Sequence, residues 1–200
     1  MMKVEIRADS VTIEGYVNAV GRDSRVMQSP TGQFVEQVEP KTFERALSRT
    51  QDVDLMHNHK RTIGGVVQGN LALQEDAIGL HARATVTDTA VIEAAKNGEL
   101  RGWSFGFSNP KDRIEPLGDG LQRRYLEDLE LQEVSIIDSS MVPAYVGTSI
   151  EMRSGSEMTV EYRGFGDNVE TYNLTPKSDA NKPDYSVQRA EIELMKLKGR

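Results

Sequence analysis

Gly102-Trp103-Ser104-Phe105-Gly106-Phe107 sorts its side chains into two unlike sets. In an extended strand, successive residues point to opposite faces. Trp103, Phe105 and Phe107 then share one face, and the apolar area they carry marks a strand of the core. Gly102, Ser104 and Gly106 share the other, which is bare except for one hydroxyl, so that a peptide backbone could approach it closely. A glycine-bearing strand crossed by a bulky neighbour has the same pattern, and for these six residues alone that packing explanation is the stronger one.

The segments around this stretch also read mainly as strands. Val4, Ile6 and Ala8 alternate with polar residues, Val11 and Ile13 continue the alternation, and Leu80, Ala82, Ala84 and Val86 repeat it. Val53 to His59, Val66 to Leu73 and Tyr125 to Ile137 are further strand candidates, with Gly64-Gly65 as a bend. Asp23 to Gly32 reads as turns, and Asn109 to Gly120 as a polar connection. Two short helices are expected. One runs from Thr42 to Ser48 after Pro40; the other starts at an Asp88 N-cap and stops at Gly98. This predicts a mainly β, α+β fold: a small closed or nearly closed antiparallel β-barrel with a few short helices. Residues 1–150 form the expected domain. Residues 151–183, rich in Ser, Gly, Asn and charge, read as a flexible linker. Residues 184–200 carry Val187, Ala190, Leu194 and Leu197 at near-helical spacing and read as an amphipathic helix.

The 200 residues are 38% hydrophobic and 28% charged, an ordinary globular balance. A net charge of −7 disfavours nucleic-acid binding, since phosphates attract clustered Lys and Arg. No apolar run approaches the roughly 18 residues of a membrane span, and Met1-Met2-Lys3-Val4-Glu5 lacks a secretory signal. With no cysteine there is no disulfide scaffold, thiol nucleophile or thiolate metal site, and a cytosolic setting is expected.

A serine hydroxyl needs a base to become a nucleophile. The three histidines are His57, His59 and His81. Extended, Asp54 to His59 would place His57 and His59 on one face. A third group should orient the imidazole. Glu133 lies on an otherwise apolar strand face with Leu129, Leu131 and Ile137, where a carboxylate is costly unless paired. A barrel rim, where Glu133 reaches water, is an equal reading.

In order and spacing, these segments resemble the prohead serine proteases of tailed bacteriophages. The resemblance is carried by Ile13-Glu14-Gly15-Tyr16, Phe34-Val35-Glu36 before Pro40-Lys41-Thr42-Phe43, and Asn58-His59 before Ile63-Gly64. It continues through Ile78-Gly79-Leu80, Lys96-Asn97-Gly98, the Ser104 stretch, Glu133-Val134-Ser135 and Pro143-Ala144. It implies a fold like the herpesvirus assembly proteases, Ser104 as nucleophile and His59 as general base. Glu133 is the choice for third member. His81 is its rival, because the herpesvirus relatives use a second histidine there, and His57 is a minor candidate for the base. The same analogy implies oxyanion donors among the backbone N–H groups near Arg123-Arg124. No cofactor or metal is required. The implied substrates are the major capsid protein and its scaffold region, together with the protease itself. The implied setting is the prohead inside the host cytoplasm, with possible self-association and no nucleic-acid or membrane partner. A cut is expected within 151–182, and the end from Asp184 is expected to dock on capsid or scaffold subunits or to pack back on the enzyme.

Two other readings compete. His57 and His59 could bind zinc with Glu133 as a further ligand. Alternatively, the chain is a non-catalytic scaffold or capsid-associated module in which Ser104 only fills space.

Overall fold

A computed structural model describes residues 2–29, 32–50, 52–141, 150–151, 160–166 and 169–175. In chain order the described elements are β1 (Met2–Ile6), β2 (Val11–Ala19), β3 (Met27–Ser29), β4 (Gly32–Val38), α1 (Thr42–Arg49), β5 (Asp54–His57), β6 (Arg61–Gly65), β7 (Leu71–Glu75), β8 (Gly79–Val86), α2 (Thr89–Lys96), β9 (Leu100–Gly118), β10 (Leu121–Asp138), β11 (Ile150–Glu151), β12 (Val160–Gly166) and β13 (Val169–Asn173). They form two sheets, one ordered β13-β1-β2-β8-β7 and the other β11-β12-β9-β10-β4-β3. In the second sheet β5 also pairs with β10, and β6 pairs with β5. The described residues are therefore mainly β with two short helices, as expected. No pairing among the described residues closes either sheet into a barrel. The sheets are also not wholly antiparallel, since β13 on β1, β4 on β10 and β5 on β10 are parallel.

The two sheets and the buried faces of α1 and α2 share one apolar core. Trp103, Phe105 and Phe107 enter it almost completely buried, each with a burial gain of roughly 1.5–3 kcal/mol. Phe105 meets Phe43 of α1 edge to face, at 5.3 Å between centroids. The α2 helix starts where its cap says it should, with the Asp88 carboxylate accepting from the Ala90 and Val91 N–H groups. Gly98, at φ 67, ends it in the left-handed region that glycine enters without strain.

Several local expectations are corrected. Asn109 to Gly120 is not a loop: β9 runs to Gly118 and turns at once into β10. This far arm is exposed and held by cross-strand charge pairs and by Arg113 over the Tyr125 ring, so it carries no apolar alternation to read. Gly64-Gly65 lies in β6 rather than at a bend, and the Val66–Leu73 strand is replaced by a turn and β7. Strands β3 and part of β4 fall in the turn-rich region before Phe34.

Within the stretch read as a linker, Val160–Gly166 and Val169–Asn173 are strands, one on each sheet. The rest of that stretch and the expected helix of 184–200 lie outside the described residues. No helix among the described residues is long and apolar enough to cross a membrane.

Candidate active site

Strand β9 sits between β10 and β12. Ser104 faces Ser135 on one side and Gly164 on the other; Gly106 faces Glu133 and Tyr162. These six residues share the face opposite the aromatic core residues. The bare surface expected of Gly102, Ser104 and Gly106 is thus a real surface, and it is covered. A Cβ on Gly106 would lie 2.8 Å from Glu133 Oε1 and 2.9 Å from Tyr162 Cε1, so only glycine leaves room for both side chains.

Glu133 reaches this face through a register shift. Leu131 faces Phe107 and Glu133 faces Gly106, so two steps along β10 match one along β9. Such a bulge reverses the side to which the following residues point. Leu129 and Leu131 stay in the core, Val134 and Ile136 return to it, and Glu133 and Ser135 emerge together opposite Gly106 and Ser104. The shared face with Leu129 and Leu131 expected from simple alternation is therefore corrected. The carboxylate is not buried among leucines.

His59 follows β5 in a tight turn to β6, not in the strand. Asn58 and His59 both have left-handed backbones, at φ 54 and 57. Non-glycine residues occupy that region at a cost, which surrounding contacts must offset. Asn58 supplies them. Its Nδ2 donates to Asp138 Oδ1 (2.9 Å) and Ser140 Oγ (3.1 Å), and its Oδ1 accepts from the Asp138 N–H (3.0 Å). The His59 N–H donates to Ser135 Oγ at 2.8 Å, and His59 Nδ1 meets Glu133 Oε1 at 2.5 Å. The imidazole also lies 4.5 Å from the Tyr162 ring, centroid to centroid.

The other two histidines are placed elsewhere. His57 Nε2 pairs with Asp138 Oδ2 at 2.7 Å. Burial would raise the Asp138 pKa, but hydrogen bonds from Ser140, Asn58 and His57 outweigh it and hold the carboxyl at about 2. His81 belongs to the other sheet, edge-on to Tyr16 and 3.6 Å from Glu14. It is Glu133, not His81, that touches His59. The imidazoles of His57 and His59 engage different carboxylates, and among the described residues no group of three acids or histidines is arranged to hold a metal ion.

Ser104 is 2% exposed. Its hydroxyl donates to the carbonyl oxygen of Arg163 in β12 at 2.7 Å, and no hydrogen bond joins it to His59 among the described residues. Ser135 links the two, lying beside Ser104 across the ladder while accepting from the His59 backbone. Arg123 and Arg124 lie far along β10, between β4 and β9, with their side chains in ion pairs. Their amides are flanked by strands on both sides, which corrects the suggested oxyanion role.

Sequence reasoning missed Ser135, Asp138 and the covering strand. Ser135 was legible as the partner of Glu133 at a spacing of two. Asp138 had no local signal.

A family model describing Caudovirus prohead serine proteases matches residues 1–161. No curated protein and no solved structure matches the chain. The match spans β1 to β11 and the start of β12, and with them Ser104, the Asn58-His59 turn and Glu133. A model that covers so much of the chain settles the family: this protein belongs to the Caudovirus prohead serine proteases, peptidases of phage capsid maturation.

Proposed function

We propose that this chain cleaves the scaffold region of its major capsid protein, and itself, with Ser104 as nucleophile, His59 as general base and Glu133 as the residue that orients His59. The observation that carries this reading is the 2.5 Å contact of His59 Nδ1 with Glu133 beside the ladder position of Ser104. A carboxylate on Nδ1 keeps the proton there and leaves Nε2 to take the serine proton. Ser104 Oγ then bonds to the substrate carbonyl carbon, and the carbon–nitrogen bond breaks. His59 passes the proton to the leaving amine, and water hydrolyses the ester. General-base assistance of this kind contributes roughly 10²- to 10⁴-fold in rate. The expected place of action is the assembling prohead in the host cytoplasm, with capsid and scaffold subunits as partners.

The test is to express the wild type and Ser104→Ala with the matching capsid protein and to weigh all products. The wild type should yield shortened capsid protein and a shortened protease, and Ser104→Ala neither. Equal processing by the two would remove Ser104 from the chemistry.

A further inference from the structure

Strand β12 lies on β9 as an added peptide would, antiparallel and in register, with Glu161 opposite Phe107, Arg163 opposite Phe105 and Gly164 opposite Ser104. On the Ser104 face the register leaves space: Gly164 has no side chain, and a Cβ there would be 3.9 Å from Ser104 Oγ. On the other face the Arg163 side chain enters a charged pocket inside the molecule. Its Nε donates to Glu36 Oε1 at 2.6 Å and its Nη2 to Glu36 Oε2 at 2.7 Å, with the guanidinium 5.2 Å from the Phe107 ring. Arg163 is 7% exposed and Glu36 4%. Arg124 completes the pocket, reaching Glu36 Oε2 at 3.1 Å and Glu161 at 2.6 and 3.0 Å.

A forked pair of this kind recognises arginine by shape as well as charge. Glu36 would be costly to bury without a partner. Arg124 remains beside it when Arg163 leaves, so the pocket keeps a countercharge when empty. Strand addition supplies main-chain affinity, and pockets for alternate side chains supply selectivity.

We propose that β12 is a built-in pseudosubstrate on the peptide-binding edge of β9, and that Glu36 is the specificity-determining residue of that edge. Glu36 takes arginine at the residue whose carbonyl meets Ser104. The inference rests on Ser104 being the nucleophile. A substrate in the place of β12 is an extended peptide with this arginine and with a carboxylate two residues before it, held by Arg124. Ser104 Oγ bonds to the arginine carbonyl carbon, the bond to the next nitrogen breaks, and the serine proton passes through His59 to that nitrogen. In the resting arrangement the serine proton instead faces the Arg163 carbonyl oxygen, so β12 is held rather than cut.

The test uses the full chain as wild type, Arg163→Met, the double variant Glu36→Gln/Arg163→Met, and Ser104→Ala/Arg163→Met. A fluorophosphonate probe reads access to Ser104. Two peptides, Val-Glu-Tyr-Arg-Gly-Phe and the same with Leu for Arg, read selectivity. Charged hydrogen bonds of this type correspond to roughly 10- to 100-fold. Arg163→Met should label faster than wild type by about that factor and cleave the arginine peptide over the leucine peptide by a similar ratio. The preference should vanish in Glu36→Gln/Arg163→Met. That double variant leaves neither partner charged and carries the access measurement if Arg163→Met fails to fold. Labelling that needs Ser104 but is equally fast with and without Arg163 overturns the pseudosubstrate. Equal cleavage of the two peptides overturns the role of Glu36. Labelling that persists in Ser104→Ala/Arg163→Met overturns the nucleophile instead, which separates the two failures.

Discussion

At the scale of single residues, the contact between Glu133 and His59 gives the sharpest expectation. Glu133→Gln keeps the shape but removes the charge, and an amide can present its NH₂ to Nδ1 and so favour the wrong tautomer. Catalytic efficiency should fall by roughly 10²- to 10⁴-fold while the fold is retained. Peptide-cleavage kinetics beside a thermal melt would check both halves, and a loss below threefold would detach Glu133 from the reaction. Gly106 is set by the same contact. Its missing Cβ is the space that Glu133 and Tyr162 fill. Gly106→Ala should push Glu133 away from His59, costing about 1–3 kcal/mol of stability as overpacking and reducing activity as well. Denaturant melts and kinetics on one preparation measure the two effects together.

At the scale of elements, the turn from β5 to β6 is a strained device held by Asp138 at the end of β10. The folded pKa of Asp138, about 2, lies below its ordinary value of 3.8. A depressed carboxyl pKa contributes stability above the ordinary value and loses it as pH falls through the folded one. The contribution should therefore be complete above pH 4 and fade toward pH 2. Its size is about 1–2 kcal/mol after allowing for solvent screening. Asp138→Asn should be less stable than wild type at pH 6, with the gap narrowing below pH 4. A gap that stays constant from pH 6 to pH 2.5 would show that the carboxylate is not what holds the turn. The bulge at Gln132 is the second decisive element feature. Without it, Glu133 would point into the core with Leu131.

At the scale of the molecule, β12 and β13 each join a different sheet, adding β12 to β9 and β13 to β1. Glu36 and Arg163, both buried, form one ion-pair cluster with the half-buried Arg124 and Glu161, joining β4, β10 and β12. Removing one member of a buried pair strands the other charge, whereas replacing both is close to neutral. Glu36→Ala should cost about 3–5 kcal/mol, and Glu36→Gln/Arg163→Met much less. Urea unfolding of the two variants gives the comparison. Equal losses would mean that the cluster is hydrated rather than buried.

The sequence alone determined what depends on local pattern. Alternation identified β1, β2, β8 and the first half of β9; the Asp88 cap and Gly98 bounded α2; and the motif order singled out Ser104, His59 and Glu133 as candidates, with His81 as the rival to Glu133. Tertiary structure decided everything that depends on which strand lies beside which. It placed Glu133 against His59 through a one-residue bulge, sent His57 to Asp138 and His81 to the other sheet, and drew Val160–Gly166, read as part of a linker, onto β9 beside Ser104. Alternation records which side a residue faces along an unbroken strand. Register, bulges and edge pairing are set by contacts between distant segments, which no local window of sequence contains.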